Sequence, residues 1–95
     1  MTEFERSKLA LVGGRIRKVR ESSGLNLHEL ARLSGISAPA LSLIETGKRD
    51  LRITSLYRIA DALRTQARDL LGEPPAEPLK PERPDVQGYD LTDYT

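Results

Sequence analysis

NLHELARLSGISAPALSLIETG, residues 26–47, is the stretch that decides the fold. Asn26 is a good N-cap, and Glu29 stands three residues later in capping-box position, so a short helix begins here. This helix ends at Gly35, and Ser37 starts a second one that we expect to stop at the glycine closing the quoted stretch. The stretch therefore predicts two short helices joined by a tight turn.

The small and apolar residues of this stretch fit two helices that cross at a steep angle. Ala31 leaves room where the helices approach most closely, and Gly35 suits a turn that requires a positive φ. Four larger side chains close the wedge between the helices: Leu30, Ile36, Leu41 and Ile44. These six positions are typical of a helix-turn-helix, whose second helix lies in the major groove of DNA.

Helical spacing continues on both sides of this pair, without the sustained alternation that is typical of strands. A first helix, capped by Ser7, buries a face made of Leu9, Val12, Ile16 and Val19. Gly13 and Gly14 interrupt it at about 1 kcal/mol each, so we expect its first turn to be frayed or absent. A fourth helix has the inward repeat Ile53, Leu56, Ile59, Ala60 and Leu63, and a short fifth helix covers residues 66–71. Residues 8–72 are therefore predicted to form a compact all-α domain of five helices.

The composition of the 95-residue chain excludes several classes of function. With no cysteine and one histidine, the chain offers neither a disulfide framework nor a set of metal ligands, and we expect no cofactor. No nucleophile, base and orienting group can be assembled, which excludes an enzyme. No apolar run approaches the roughly 18 residues of a membrane span. We therefore expect a cytoplasmic binding protein without membrane contact.

Charge and proline content divide the chain after Gly72. Residues 1–71 hold thirteen Lys or Arg against eight Asp or Glu, a balance of +5, whereas residues 72–95 hold two against six, a balance of −4. Five of the six prolines also follow Gly72, a density that prevents a helix or a sheet ladder. Residues 73–95 are therefore predicted to be an extended, disordered acidic tail. Two tyrosines near its end leave open another interpretation, a short element that docks on a partner protein or a second subunit.

Four motifs occur in order between Ile16 and Leu63: R-x-x-x-G-L, E-L-A-x-x-x-G-I-S, I-E-x-G-K-R and L-x-x-I-A-x-A-L. In these motifs and their spacing, the chain resembles the lambda-repressor/Cro-like family, also called the xenobiotic-response-element family. The resemblance implies a five-helix, usually dimeric, sequence-specific DNA-binding domain of bacterial and phage transcription regulators. We therefore expect a nucleoid-associated repressor or autoregulator that binds a roughly palindromic double-stranded DNA operator as a homodimer.

The resemblance also implies roles for individual residues. Arg20 and Glu45 match family positions that pair inside the fold, the alternative being two ordinary surface charges. Relatives grip DNA phosphates from the start of the second helix and from the loop before the fourth helix, positions held here by Asn26, Lys48, Arg49 and Arg52. The alternative for the basic residues is a solvated loop, and for Asn26 it is helix capping alone. The positions that face the bases are Ser37, Ala38, Pro39, Ala40, Ser42 and Leu43.

The base-facing positions depart from the family pattern. Bidentate hydrogen bonds to guanine or adenine edges require Arg, Lys, Asn or Gln, and none of the six positions holds one. Two hydroxyls and several apolar groups remain, so we expect specificity from thymine methyl contacts, hydroxyls and DNA deformability. The rival interpretation is that this helix has lost its DNA role and that the domain is a protein-binding adaptor.

Relatives pair in and after the fourth helix, where this chain carries Tyr57, Leu70 and Leu71. We expect these three residues to form the dimer interface, and we expect the folded part to expose few other large apolar side chains. A further rival function is an antitoxin, in which the domain binds its own promoter and residues 73–95 bind a toxin.

Overall fold

The computed structural model describes residues 1–72, which form five helices and, within that range, no strand. The helices are α1 (Glu3–Ser22), α2 (Leu27–Ser34), α3 (Ala38–Glu45), α4 (Ile53–Leu63) and α5 (Ala67–Leu71). The predicted all-α fold of five helices is thus confirmed. The prediction of an extended tail falls on residues 73–95, which lie outside the described residues.

Helix α1 is longer than the sequence predicts. Its N-cap is Thr2, whose hydroxyl accepts a hydrogen bond from the Glu5 amide, while the Glu5 carboxylate accepts one from the Thr2 amide. The prediction of a start at Ser7 was wrong because this capping box satisfies the first amides five residues earlier. The two glycines do not break the helix either. Gly13 is buried where α1 crosses the end of α3, and a Cβ there would overlap the carbonyl oxygens of Ile44 and Glu45.

The central helix pair forms as its local sequence predicts. The Asn26 side chain accepts a hydrogen bond from the Glu29 amide, and the Glu29 carboxylate accepts one from the Asn26 amide, both at 2.8 Å. Gly35 ends α2 in the left-handed region at φ 75°. Ser37 caps α3 by accepting a hydrogen bond from the Ala40 amide at 3.3 Å. Pro39 stands in the first turn, where a missing N–H costs no helical hydrogen bond.

The remaining helices close the core. Arg64 ends α4 in the left-handed region at φ 59°, and the chain turns back through Gln66 into α5, which packs on α1. The core joins α1, α2, α3, α4 and α5 through Ile16, Leu30, Leu41, Ile44, Leu56, Ile59, Ala60, Leu63 and Leu70. Ile53, predicted to face inward, is 67% exposed, and the first buried residue of α4 is Leu56. Within the described range, no helix has both the length and the apolar character needed to cross a bilayer.

Candidate nucleic-acid interface

One side of α3 is anchored in the core and the other faces solvent. Leu41 and Ile44 are buried, so the helix is held by its inner face against α1 and α2. Of the six positions predicted to face bases, four are exposed, namely Ser37, Pro39, Ser42 and Leu43, and two are half-buried, namely Ala38 and Ala40. Pro39, Ser42 and Leu43 therefore lie on the exposed side of the eight-residue helix, Ser37 is exposed at its N-cap, and Ala38 and Ala40 lie at its half-buried margins.

The chemistry of this outer face is sparse. The Ser37 hydroxyl already accepts the capping hydrogen bond from Ala40, which leaves its own proton to donate. The side chain of Ser42 makes no hydrogen bond within residues 1–72. Leu43 is 41% exposed and supplies the largest apolar group of the face. Such a surface can donate or accept single hydrogen bonds and can contact methyl groups.

The loop between α3 and α4 holds the predicted phosphate contacts. Lys48, Arg49 and Arg52 are all exposed, and none of them has an ion-pair partner in the part of the chain that the structure describes. The Lys48 amide donates to the carbonyl oxygen of Leu43 at 2.9 Å, which ties the loop to the end of α3. The loop is therefore anchored to α3 at Lys48, and all three cationic side chains are exposed to solvent.

A groove of about 310 Å³ joins this loop to α3. Its lining combines Ala40, one of the positions predicted to face bases, with Arg49 and Arg52, and it also includes Asp50 and Ser55. The Asp50 carboxylate accepts a hydrogen bond from the Leu51 amide at 2.9 Å, and this hydrogen bond stabilises the loop backbone. Predicted base contacts and predicted phosphate contacts thus border one continuous depression.

The start of α4 borders the same groove. Arg52 is the N-cap residue, and its side chain makes no capping hydrogen bond. The first amides of an α-helix lack partners inside the helix and carry partial positive charge, which favours an anion. Ser55 also lines the groove, and no feature of the sequence pointed to this residue.

Asn26 lies at the other predicted phosphate position, at the start of α2. Its side-chain oxygen is used by the Glu29 amide, so the capping role is observed. Its side-chain NH₂ group makes no hydrogen bond within the described residues, so the cap leaves two donors for another acceptor. The two interpretations of Asn26 are therefore compatible, and its phosphate contact stays a prediction.

Arg20 and Glu45 form a buried bidentate ion pair that ties α1 to the end of α3. Arg20 Nε donates to Glu45 Oε2 at 2.8 Å and Nη2 donates to Oε1 at 3.0 Å, while Nη1 donates to the Leu25 carbonyl oxygen at 2.8 Å. Both residues are 8% exposed, so the alternative of two ordinary surface charges does not describe them. The hydrogen bonds to Glu45 raise the pKa of the Arg20 guanidinium, against the opposing effect of burial. A buried pair of this kind orients its helices more than it adds net stability.

The predicted dimer residues do not share one surface. Tyr57 and Leu71 are 57% and 51% exposed, whereas Leu70 is completely buried in the core. The prediction that Leu70 lies at a dimer interface was wrong, because adjacent residues of a helix point about 100° apart and α5 turns Leu70 toward α1. Tyr57 lines a shallow depression of about 390 Å³ between α4 and α5, together with Ala60, Asp61, Thr65, Gln66, Ala67 and Arg68.

The folded part exposes more large apolar side chains than expected. Besides the residues already described, Phe4, Leu11 and Leu33 are more than half exposed. The expectation of few such residues was wrong because Phe4 and Leu11 lie on the exposed face of α1 and Leu33 lies on the exposed face of α2. The helical phase of α1 could have shown this, since Phe4 and Leu11 stand seven residues apart and away from the face of Ile16.

Two short helices joined at a tight turn, with an exposed second helix beside a basic loop, define a helix-turn-helix protein. The chain matches the model of the HTH_3 helix-turn-helix family over residues 16–70, and it belongs to that family. It is also 38% identical over 53 residues to the HTH-type transcriptional regulator y4dJ of Sinorhizobium fredii, covering 56% of this chain and 69% of y4dJ.

Other relatives agree with this assignment. The HTH-type transcriptional regulator Rv0474 of Mycobacterium tuberculosis is 42% identical over 55 residues, 58% of this chain, but the match spans 39% of Rv0474. The crystal structure of the restriction-modification controller protein C.AhdI from Aeromonas hydrophila superposes with a TM-score of 0.66 at 31% identity. That match covers 67% of this chain and 97% of C.AhdI. The chain is a DNA-binding helix-turn-helix transcriptional regulator of the lambda-repressor-like type.

Proposed function

We propose that the protein is a sequence-specific repressor or autoregulator that binds a roughly palindromic operator as a homodimer. The observation that carries this proposal is the groove in which Ala40 of α3 lies beside Arg49 and Arg52. A helix that enters the major groove of DNA must contact bases along its outer face and phosphates beside it. The protein groove has this arrangement, with Ala40 on the helix and Arg49 and Arg52 beside it.

The phosphate contacts come from two places. Lys48, Arg49 and Arg52, with the first amides of α4, hold one stretch of backbone, and the free NH₂ group of Asn26 holds another. Because these contacts come from segments before and after α3 in the chain, they set its depth and register in the DNA groove. They carry no sequence information themselves, so affinity and specificity arise from different residues.

Base recognition falls to the outer face of α3. Ser37 and Ser42 offer hydroxyls to base edges, while Ala38, Pro39, Ala40 and Leu43 offer apolar contacts to thymine methyl groups. None of these side chains can form the bidentate hydrogen bonds that give the strongest discrimination. The operator is therefore recognised through thymine positions and through the ease with which its centre deforms.

Dimerisation places two copies of α3 in successive major grooves. The surface assigned to the contact runs over α4 and α5 and includes exposed Tyr57 and Leu71. The half-sites of such an operator lie one helical turn apart, about 34 Å between centres. A two-fold symmetric operator follows from the two-fold symmetry of the dimer.

Selection from a pool of random duplex DNA, read by sequencing, tests this proposal on the full chain. We expect enrichment of a two-fold symmetric motif with thymines at contacted steps. Ser42→Glu introduces a carboxylate opposite the bases and is expected to abolish the enrichment, whereas Ser7→Glu makes the same exchange on exposed α1 and is expected to preserve it. A wild-type pool without any enriched sequence would favour the protein-binding adaptor and overturn the proposal.

A further inference from the structure

The exposed face of α1 carries a row of alternating apolar and basic side chains. Phe4, Lys8, Leu11 and Arg15 follow one another at intervals of four, three and four residues, which places them in one line along a helix. Phe4 is 69% exposed and Leu11 is 58% exposed, on the side turned away from buried Ile16. These four residues are called the α1 stripe below.

The DNA-binding role does not account for the α1 stripe. The family match begins at residue 16, so all four residues precede it, and none of them lines the groove beside α3. The ammonium group of Lys8 lies 5.3 Å from the centre of the Phe4 ring. Neither Lys8 nor Arg15 has an ion-pair partner within residues 1–72. Apolar contact area and unpaired positive charge therefore coincide on this face.

The chain leaves the described fold next to the α1 stripe. Helix α5 packs against α1 and ends at Gly72, which lies in the left-handed region at φ 86°. A Cβ on Gly72 would overlap the guanidinium group of Arg15, so the two residues are in direct contact. Whatever follows Gly72 therefore starts beside one end of the stripe.

We propose that the α1 stripe binds the C-terminal segment of its own chain, DVQGYDLTDYT at residues 85–95. The segment combines apolar residues with carboxylates, just as the stripe combines apolar residues with cations. The apolar residues of the segment are Val86, Tyr89, Leu91 and Tyr94, and its carboxylates are Asp85, Asp90 and Asp93. The net charges of the two parts of the chain are also complementary, since residues 1–71 carry +5 and residues 72–95 carry −4. The inference is independent of the DNA-binding role.

The connection between the two partners is long enough for this contact. Residues 73–84, fully extended, reach about 40 Å at roughly 3.3 Å per residue. From Arg15 back to Phe4, α1 measures about 16 Å at roughly 1.5 Å per residue. A tether of this kind holds the segment at an effective concentration on the order of millimolar, so a weak contact suffices to occupy the stripe. Because the contact involves exposed ion pairs, added salt weakens it.

Paramagnetic broadening in the full-length chain tests the proposal directly. The natural sequence contains no cysteine, so Gln87→Cys gives a single attachment point for a nitroxide within the segment. We expect the amide signals of residues 4–15 to lose intensity selectively, and we expect this loss to shrink as salt is added. Leu11→Glu should remove the effect, while Leu33→Glu, at a leucine of matching exposure on α2, should leave it intact.

Three outcomes would overturn this assignment. Broadening confined to α3 and residues 48–52 would mean that the segment lies over the DNA-facing groove. Broadening that persists when the nitroxide is carried by a second, isotopically unlabelled copy would assign the stripe to a partner's segment. Broadening without selectivity would mean that the stripe binds nothing in this chain. The dispersion of the remaining signals shows in the same spectra whether each variant is folded.

Discussion

Single side chains in this protein divide into those that orient α3 and those that we propose contact DNA. Arg20 belongs to the first group, since its three hydrogen bonds hold Glu45 at the end of α3 and the carbonyl oxygen of Leu25 before α2. Arg49 belongs to the second group, since it is exposed and has no ion-pair partner among the described residues. Loss of Arg20 is therefore expected to affect folding, whereas loss of Arg49 is expected to affect binding.

Replacement of Arg49 tests the phosphate contacts. Each phosphate neutralised by a side chain releases counterions, and its loss lowers the slope of log affinity against log salt by about 0.9. We expect Arg49→Ala to reduce the slope by this amount and to weaken binding to all DNA sequences alike. Arg64→Asn removes the same charge at the far end of α4, where asparagine tolerates the left-handed backbone, and is expected to leave the slope unchanged. An unchanged slope for Arg49→Ala would remove this residue from the interface.

Replacement of thymine by uracil tests base recognition, because only the C5 methyl group is lost. By analogy with a methylene group, one buried methyl group contributes about 0.8 kcal/mol to the binding free energy, so its loss lowers the affinity roughly fourfold. We expect such a loss at contacted thymines, measured by titration of each substituted operator, and a smaller loss where the protein carries Leu43→Ala. Uracil outside the operator serves as the control. Indifference at every operator thymine would exclude methyl contacts and leave recognition to DNA shape.

At the scale of elements, the contact between α1 and α3 positions the DNA-facing surface. Gly13 lets the α1 backbone touch the carbonyl oxygens at the end of α3, and Gly47 touches the backbone of Ala10 just beyond that end. Gly47 also needs its positive φ of 74°, which side chains rarely adopt. Two glycines thus hold the start of the basic loop against α1, while the buried ion pair fixes the rotation of α3.

The adjacent glycines of α1 provide a matched pair of substitutions. Gly13→Ala forces a methyl group against the carbonyl oxygens of Ile44 and Glu45, and overpacking of this kind costs about 1–3 kcal/mol. Gly14 has no atom within 4 Å of an added Cβ, so Gly14→Ala should stabilise the helix by about 0.5–1 kcal/mol through reduced backbone entropy. Thermal unfolding followed by circular dichroism measures both. Equal effects of the two substitutions would contradict the close contact at Gly13.

At the scale of the whole molecule, two neighbouring leucines of α5 distinguish the proposed dimer surface from the core. Leu71 is exposed and is assigned to that surface together with Tyr57, whereas Leu70 is completely buried. An uncompensated carboxylate is costly in an apolar core but costs little on an exposed monomer surface. Aspartate at the two positions should therefore give different defects.

We expect Leu71→Asp to yield a folded monomer with much weaker operator binding, and Tyr57→Asp to behave similarly. Leu70→Asp should instead unfold the domain, because burial of the charge is opposed by desolvation. Sedimentation gives the oligomeric state and circular dichroism gives the helix content of each variant. A tight dimer in both surface variants would place the interface elsewhere on the molecule.

The elements that depend on local interactions were predictable from the amino-acid sequence. The capping box at Asn26, the left-handed glycine at position 35 and the cap at Ser37 each act within a few residues, so they predict α2 and α3 correctly. The helix-turn-helix family follows from motifs in the same region. The six positions of α3 expected to face bases came from the family resemblance, and four of them are exposed in the structure.

Tertiary structure alone decided the rest. Local propensity predicts that Gly13 interrupts α1. The end of α3 approaches so closely, however, that a side chain at this position would overlap its carbonyl oxygens, so glycine is the residue that the packing requires. Local phase could not tell which of Leu70 and Leu71 is buried, because a five-residue helix has no periodicity and its rotation is set by packing on α1. The groove that joins α3 to Arg49 and Arg52 likewise exists only after the loop is held in place. Caps act through hydrogen bonds a few residues apart, whereas burial depends on partners brought together by the chain as a whole.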